Sequence, residues 1–268
     1  MLDIGFHQAA GLHSFTPQSE LRVVAVASQD NAGTGLETLW QICASLQRLG
    51  YPVVVLDGTA QETDEYPGLL HLLQQAPWNE GVSLNMGAMA SSLAVIPAAK
   101  GLQRISREAS RNETAPLPSL LPYFRTYGLI VLHAPAATLG PLLTHTATVP
   151  LVVMGDGSAG VLSSYKSLKQ IAVHTGLPCM VAALLRGNTP AERRKTQHAL
   201  MTLQDCAERH LGGPVRTTTI ATQNPQDVQR LALQLLENAG TISEPLTALT
   251  ALPAGNLTGT PAHFVRSH

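Results

Sequence analysis

The stretch LRVVAVASQDNAGTGLETLWQICASLQRLG (21–50) decides the fold class of this chain. Its first part, 21–27, is a continuous apolar run, which is typical of a buried parallel strand. Its last part, 39–50, has the apolar spacing of a helix that ends at a glycine. The small residues between them complete a strand–turn–helix unit, which is the setting of a phosphate-binding loop. The lysine that such a loop aims at the phosphates is absent.

The same alternation of strand and helix continues along the chain. Further apolar runs predict strands at 52–57, 93–98, 127–134, 150–155, 178–185 and 215–221. Patterns with helical spacing predict helices at about 36–49, 66–75, 100–112, 158–175, 190–211 and 226–238. Because most of the strands are apolar on both faces, we predict an α/β fold with a doubly wound, mostly parallel sheet flanked by helices.

The ends of the predicted elements divide the chain into three parts. Residues 1–19 precede the first strand, 20–239 form one α/β domain, and 240–268 are expected to be a flexible C-terminal tail because they are rich in Gly, Thr and Pro. We expect loops at 76–92 and 112–122. Within the domain, two helices carry boundary signals: the N-caps Ser158 and Thr189, and the terminal glycines Gly176 and Gly212.

Composition and charge exclude several classes of function. The chain has 268 residues and a net charge of −1, so no basic field attracts nucleic acid, and we expect no nucleic-acid partner. Cys43, Cys179 and Cys206 are widely spaced and odd in number, which indicates a reducing compartment rather than a disulfide framework. The start, 1–15, lacks the basic and apolar regions of a signal peptide. We therefore expect a cytoplasmic protein.

Several motifs, in this order, resemble the MinD/ParA family of deviant Walker A ATPases. The family's loop has the pattern KGGVGKT, and NAGTGLE (31–37) lies in its place, followed by VVVLDGT (53–59), LAVIPAAKGLQ (93–103), YGLIVLHAPAA (127–137) and LVVMGDGSAGVLSSYKSLKQI (151–171). The resemblance covers about residues 20–238. It implies a P-loop NTPase fold with ATP or ADP and Mg²⁺ as ligands. The remnant nucleotide site that it implies consists of Asn31, Ala32, Gly33, Thr34, Gly35, Leu36, Glu37, Thr38 and Asp57.

The loop departs from the family pattern at its charged positions. Asn31 replaces the signature lysine, Leu36 the P-loop lysine and Glu37 the threonine that holds Mg²⁺, which leaves Thr38 as the nearest hydroxyl. Two like charges about 4 Å apart repel by about 4 kcal/mol at an effective dielectric constant of about 20. Glu37 therefore weakens the binding of a triphosphate unless a Mg²⁺ ion bridges its carboxylate and the phosphates. We predict a pseudo-ATPase, with hydrolysis absent or very weak.

Polar residues at other strand ends are weaker candidates. Asp57 is either a remnant of the family's Mg²⁺-binding side of the site or a cap for the loop that follows it. His133 stands where the family's switch II strand ends in Asp, and Leu184 or Leu185 where the family has an adenine-reading Asn. No partner for His133 is evident from spacing, so a packed or capping histidine is favoured over a catalytic base. Two further charged stretches, 64–65 and 192–195, are expected to be solvated rather than parts of a site.

The N-terminal segment HQAAGLH (7–13) narrows the resemblance. Flagellar-number regulators of the FlhG/FleN type carry a helix of pattern DQAxxLR before the ATPase domain; Gln8, Ala9 and Leu12 match it, while His7 and His13 replace its charged residues. In that family the segment stimulates GTP hydrolysis by the signal-recognition-type GTPase FlhF. The resemblance thus implies an activator-like helix and linker at 1–19 and an FlhF-type GTPase as partner, contacted by these five residues.

Other interpretations stay open. The chain could be an active ATP-dependent MinD/ParA switch, or a BcsQ-like accessory protein of cellulose synthesis. A metabolic α/β enzyme with a coincidental loop is disfavoured because no paired acid/base or nucleophile motif is present. A homodimer also stays open, although Asn31 removes the lysine that the family uses in trans across the nucleotide. Few basic residues in 240–268 argue against a membrane-bound helix there.

Overall fold

A single eight-stranded sheet organises the chain. A computed structural model describes residues 20–29, 32–75, 93–176, 178–185, 187 and 189–243. The strands are β1 (Glu20–Ser28), β2 (Val53–Asp57), β3 (Ala94–Pro97), β4 (Leu129–Pro135), β5 (Leu151–Met154), β6 (Met180–Leu185), β7 (Arg216–Ala221) and β8 (Gly240–Ser243). Seven of them run parallel in the order β3-β2-β4-β1-β5-β6-β7.

The eighth strand shares one edge of β1 with β5. β5 pairs with the carboxyl half of β1, at Val26 and Ala27. β8 pairs antiparallel with the amino half, from Val23 opposite Gly240 to Glu20 opposite Ser243. The chain therefore enters the sheet at Glu20 and leaves it at Ser243 side by side, at the end of the sheet opposite the carboxyl ends of the parallel strands.

Helices cover both faces of the sheet. They are α1 (Ala32–Arg48), α2 (Leu69–Gln74), α3 (Ala99–Asn112), α4 (Leu121–Phe124), α5 (Ala136–Leu142), α6 (Gly157–Thr175), α7 (Pro190–Leu211) and α8 (Pro225–Glu237). α1 and α8 pack on one face, and α2 to α7 contribute to the core on the other. This arrangement confirms the predicted doubly wound α/β fold. None of the helices in the described ranges is long and apolar enough to cross a bilayer.

The strands and most helix ends agree with the sequence patterns. All seven predicted strands are present. Thr189 caps α7 as expected, because its side chain accepts a hydrogen bond from the N–H of Glu192. Gly176 and Gly212 end α6 and α7 in the left-handed conformation, with φ of 60° and 76°.

Four local predictions were wrong. α1 begins at Ala32, not near residue 36. The N-cap of α6 is Asp156 rather than Ser158. The presumed loop at 112–122 contains a 3₁₀ turn, Leu117–Leu120, that leads into α4. Gly240–Ser243 form β8 instead of the start of a tail. The amino half of β1, which β5 does not cover, offers them a free edge. The predictions for 1–19, 76–92 and 244–268 lie outside the described residues.

Candidate functional site

The junction between β1 and α1 is the place where a phosphate loop would lie. β1 ends at Ser28 and α1 begins at Ala32, so the backbone of Gly33 and Gly35 belongs to the first turns of the helix. A phosphate loop needs glycines whose backbone N–H groups curl around an anion ahead of the helix. A Cβ on Gly35 would meet nothing within 4 Å, so no close approach demands glycine there. Asn31 lies outside the described residues.

The side chains that follow in α1 do not suit a triphosphate. Leu36 is 39% exposed and Glu37 is also at the surface, whereas Thr38 is fully buried on the core side of the helix. The only basic residue of α1 is Arg48 in its last turn, which is about 18 Å from Leu36 along the helix axis. This edge of the sheet therefore presents an apolar and an acidic side chain where a nucleotide needs positive charge.

Gln29, the first residue after β1, is anchored to another element. Its amide Nε2 donates a hydrogen bond to Ser164 Oγ at 3.1 Å. Ser164 lies fully buried in α6, so the bond ties the end of β1 to a helix that follows β5. The entry to the junction is thereby fixed by a contact within the protein.

Asp57 and His133 form a closed polar pair at the ends of β2 and β4. The two residues are opposite each other in the parallel register, and His133 Nδ1 lies 3.2 Å from Asp57 Oδ1. The same carboxylate oxygen accepts two more hydrogen bonds, from Thr59 N at 2.9 Å and from Thr59 Oγ1 at 2.6 Å. The side chains are 19% and 8% exposed for Asp57 and His133. Three protein donors therefore converge on one oxygen of Asp57.

These contacts favour the charged form of Asp57. Burial alone would raise the pKa of this carboxyl group, but the hydrogen bonds from His133 and Thr59 outweigh burial and hold the pKa below its ordinary value. Of the two roles expected for Asp57, the geometry supports the cap of the following loop. His133 is buried, and it has the partner that the spacing did not reveal: Asp57, 76 positions away along the chain.

The side chains around Asp57 differ from the ligands of the Mg²⁺–nucleotide that the family resemblance implies. Mg²⁺ prefers oxygen ligands in octahedral geometry. Here His133 supplies nitrogen where the family has a carboxylate, and one oxygen of Asp57 is already engaged by protein donors. In the described ranges no group of three or more His, Cys, Asp or Glu side chains could hold a metal. The described residues therefore do not fit a Mg²⁺–nucleotide held as in a Walker A site.

Glu62 is the buried acidic residue that the sequence patterns did not reveal. It is 1% exposed, and its carboxylate accepts hydrogen bonds from the backbone N–H groups of Leu70, Lys100 and Gly101 at 3.3, 2.8 and 2.8 Å. These groups belong to the first turns of α2 and α3, and Ala98 at the N-cap position of α3 has no side-chain acceptor. Burial raises the pKa of Glu62, but the backbone donors outweigh it and lower the pKa overall. One carboxylate thus caps two helices.

The remaining sequence candidates are divided between exposed and buried positions. Asp64 and Glu65 are exposed, which confirms the prediction of a solvated loop, and residues 192–195 are exposed on α7. Leu184 and Leu185 are buried at the end of β6, at 5% and 9% exposure. Thr59 and Glu62 are the residues that sequence analysis missed. A short polar run after a strand end, GTAQE (58–62), is the only signal that could have indicated them.

The parallel sheet with helices on both faces resembles the fold of solved MinD/ParA-type ATPases. The MinC:MinD cell division protein complex of Aquifex aeolicus matches with a TM-score of 0.51 at 13% identity, covering 81% of this chain and 96% of that chain. The pNOB8 ParA structure (TM-score 0.49, 12% identity, 81% and 99% covered) and cobyrinic acid a,c-diamide synthase of Mycobacterium smegmatis with ADP and magnesium (0.47, 18%, 81% and 94%) score lower. At 13% identity the first match shows a common fold.

Matches by sequence are absent. No protein-family model matches the chain, and no curated protein matches it.

Proposed function

We propose that this protein is a MinD/ParA-type pseudo-ATPase that acts through protein contacts. The observation that carries the proposal is the Asp57–His133–Thr59 cluster, in which protein donors converge on the carboxylate at the end of β2. Phosphoryl transfer needs a metal and cations that cancel the charge of the transferred phosphoryl group. The described part of this edge offers Leu36 and Glu37 instead. A fold that keeps its sheet but lacks these groups is suited to binding proteins.

The partner in this proposal is an FlhF-type GTPase, and the process is the control of flagellar assembly or number. Support comes from HQAAGLH (7–13), which precedes β1 by a short linker as in FlhG-type regulators. Gln8 is the residue that would orient the attacking water in the partner's active site. His7, Ala9, Leu12 and His13 would hold the segment against the partner.

Nucleotide binding tests the pseudo-ATPase half of the proposal. Isothermal titration calorimetry with ATP and ADP, with and without Mg²⁺, should give no heat of binding up to about millimolar nucleotide, since a loss of about 4 kcal/mol weakens binding roughly a thousandfold. Micromolar binding that depends on Mg²⁺ would contradict this half and favour the alternative, an ATP-dependent MinD/ParA switch. In that case Gly35→Arg, which blocks the β1–α1 junction, should abolish binding.

Stimulation of GTP hydrolysis tests the flagellar half. The full chain should accelerate GTP hydrolysis by a purified FlhF-type GTPase, and a chain that lacks residues 1–15 should not. Gln8→Ala should lose the stimulation while leaving the fold intact, and Glu37→Lys serves as the matched control that leaves stimulation unchanged. Equal stimulation by the truncated chain would rule out the segment as the activator. No stimulation by the full chain would favour a BcsQ-like role in another surface apparatus.

A further inference from the structure

An elongated groove lies between α6 and α7. Its volume is about 790 Å³. Its floor includes Met154 and Leu184, near the carboxyl ends of β5 and β6. Along α7 the lining residues extend from Glu192 in the first turn to His210 in the last, a length of about 27 Å at 1.5 Å per residue. This length exceeds a compact small molecule and fits a chain segment.

The two walls of the groove differ in character. Beyond the first turn of α6, where Asp156, Gly157 and Ser158 line the groove, the α6 wall is formed by Val161, Leu162 and Tyr165, with Leu162 57% exposed. The α7 wall is mostly polar and includes Lys195, His198, Thr202, Cys206 and His210. An occupant with apolar side chains on one side and polar groups on the other would be complementary to both walls.

The C-terminal residues 244–268 have a composition that suits this groove. Apart from histidines, only Glu244 and Arg266 carry charge. Leucines recur at 246, 249 and 252, with threonines between them, and Leu257, Phe264 and Val265 follow. Segments that remain unfolded in water are typically poor in apolar residues and rich in charge. This segment shares the Pro and Gly of such chains, but it carries little charge and has six large apolar side chains, so we expect those side chains to be buried against a surface.

The segment is also long enough to reach the groove. Ser243 pairs with Glu20 at the amino end of β1, and the floor of the groove lies near the carboxyl ends of the strands. β1 is nine residues long, so the height to be covered is about 30 Å. Residues 244–268 span roughly 80 Å when extended. About ten residues therefore suffice to cover this 30 Å, and the rest can lie along the groove.

We propose that residues 244–268 of the same chain occupy the groove between α6 and α7, with their apolar side chains against the α6 wall. A partner protein can then reach the α6 wall only after it displaces the tail. A membrane anchor is the competing role for an apolar C-terminal segment. Such anchors carry a face rich in Lys and Arg, and this segment has one Arg.

Cross-linking to Cys206 tests the proposal in the full-length chain. Cys206 lines the groove and is partly exposed, whereas Cys43 and Cys179 are buried, so a thiol reagent should reach Cys206 first. Three variants, Leu249→Cys, Leu257→Cys and Val265→Cys, each place one thiol in the tail. A short bis-maleimide cross-linker should join at least one of them to Cys206 within one chain. The same variants with Cys206→Ser should give no such product.

Two matched substitutions on α6 show whether the groove itself is required. Leu162→Glu puts a charge on the apolar wall and should reduce the intramolecular product about tenfold, since it removes most of the burial of one leucine. Val173→Glu adds the same charge at a site on α6 that is 74% exposed and outside the groove, and should leave the yield unchanged. Both positions are exposed, so neither change should prevent folding.

Other outcomes would overturn the proposal. They are the absence of a product from all three tail variants, a product only between two molecules, or an equal response to both glutamate substitutions. Sedimentation with phosphatidylglycerol vesicles that depends on residues 244–268 would assign the tail to a membrane and would likewise overturn it.

Discussion

The carboxylate of Glu62 accepts a hydrogen bond from the N–H of Gly101 at 2.8 Å, and this contact fixes where two helices meet. A Cβ on Gly101 would lie 2.6 Å from Cγ of Leu69 and 2.8 Å from the backbone nitrogen of Leu70. Glycine therefore lets the first turn of α3 approach the first turn of α2 closely enough for one acid to cap both. Glu62 thus has a structural role: it ties the loop after β2 to the starts of α2 and α3.

Removing the acid should destabilise the domain. Glu62→Ala leaves three backbone donors without their acceptor, and we expect the free energy of unfolding to fall by about 2–4 kcal/mol. Urea unfolding followed by circular dichroism measures this. Glu65→Ala, at an exposed position of the same loop, is the control and should change stability by less than about 0.5 kcal/mol. Equal effects would contradict the capping role.

Two glycines near helix starts should respond in opposite ways to alanine. Gly101→Ala must push α2 away and should cost about 1–3 kcal/mol. Gly35→Ala meets open space in a helical backbone and should stabilise the protein by about 0.5–1 kcal/mol. Thermal or urea unfolding of both variants tests this. Destabilisation by Gly35→Ala would indicate that the residue belongs to a loop that needs glycine.

Acid should weaken the fold through Asp57 and Glu62. The pKa of each is lowered in the folded state, so the unfolded state takes up more protons as the pH falls. Their contribution to stability is fully present above the ordinary carboxyl values near pH 4 and is lost as the pH falls through the lower folded values. Urea midpoints between about pH 6 and pH 3 measure this. Glu62→Gln should make the urea midpoint depend less on pH below about pH 5. An unchanged pH dependence would contradict the role of Glu62 in acid unfolding.

The Asp57–His133 pair should show energetic coupling. His133→Leu removes one donor to a half-buried carboxylate, so we expect a loss of about 1–2 kcal/mol and a rise in the pKa of Asp57. A double-mutant cycle with Asp57→Asn should give an interaction energy of about 1 kcal/mol. Unfolding in urea gives the energies, and NMR titration of the Asp57 carboxyl gives the pKa. Additive losses would mean that the two side chains act independently.

The three thiols should differ in reactivity. Burial raises the pKa of Cys43 and of Cys179 to about 12, whereas Cys206 is partly exposed. At pH 8 a disulfide reagent such as Ellman's should react quickly with one thiol per native chain, and with the other two only as the protein unfolds. Cys206→Ser should lack the fast phase. Two fast thiols would contradict the burial of Cys43 or Cys179.

The parts of the fold that depend on local pattern could be predicted from the sequence. Most of the seven parallel strands are apolar on both faces, and α7 carries a full capping box at Thr189 and Glu192, so these elements have strong local signals. β8 has only four residues, and it becomes a strand because β1 has an unpaired edge beside it. α1 begins at Ala32, ahead of its apolar pattern, because the glycines in its first turns have no side chains that could extend that pattern.

The site was predictable in position but not in its contacts. Asp57 and His133 were both placed at strand ends, but their bond depends on β2 and β4 being neighbours in the sheet. Glu62 caps helices that start at Leu69 and Ala99, and the second of these is far along the chain, so no local spacing reveals the contact. Such contacts follow from the topology, which the strand pattern alone does not specify.

The pairing of Glu20 with Ser243 has a consequence for regulation. The segments before β1 and after β8 are tethered at adjacent points, so each is present near the other at an effective concentration of about millimolar. A protein that binds residues 7–13 is thereby held close to the C-terminal tail and need not meet the tail by separate diffusion. Engagement of one end of the chain can thus be transmitted to the other by proximity, with no movement of the sheet.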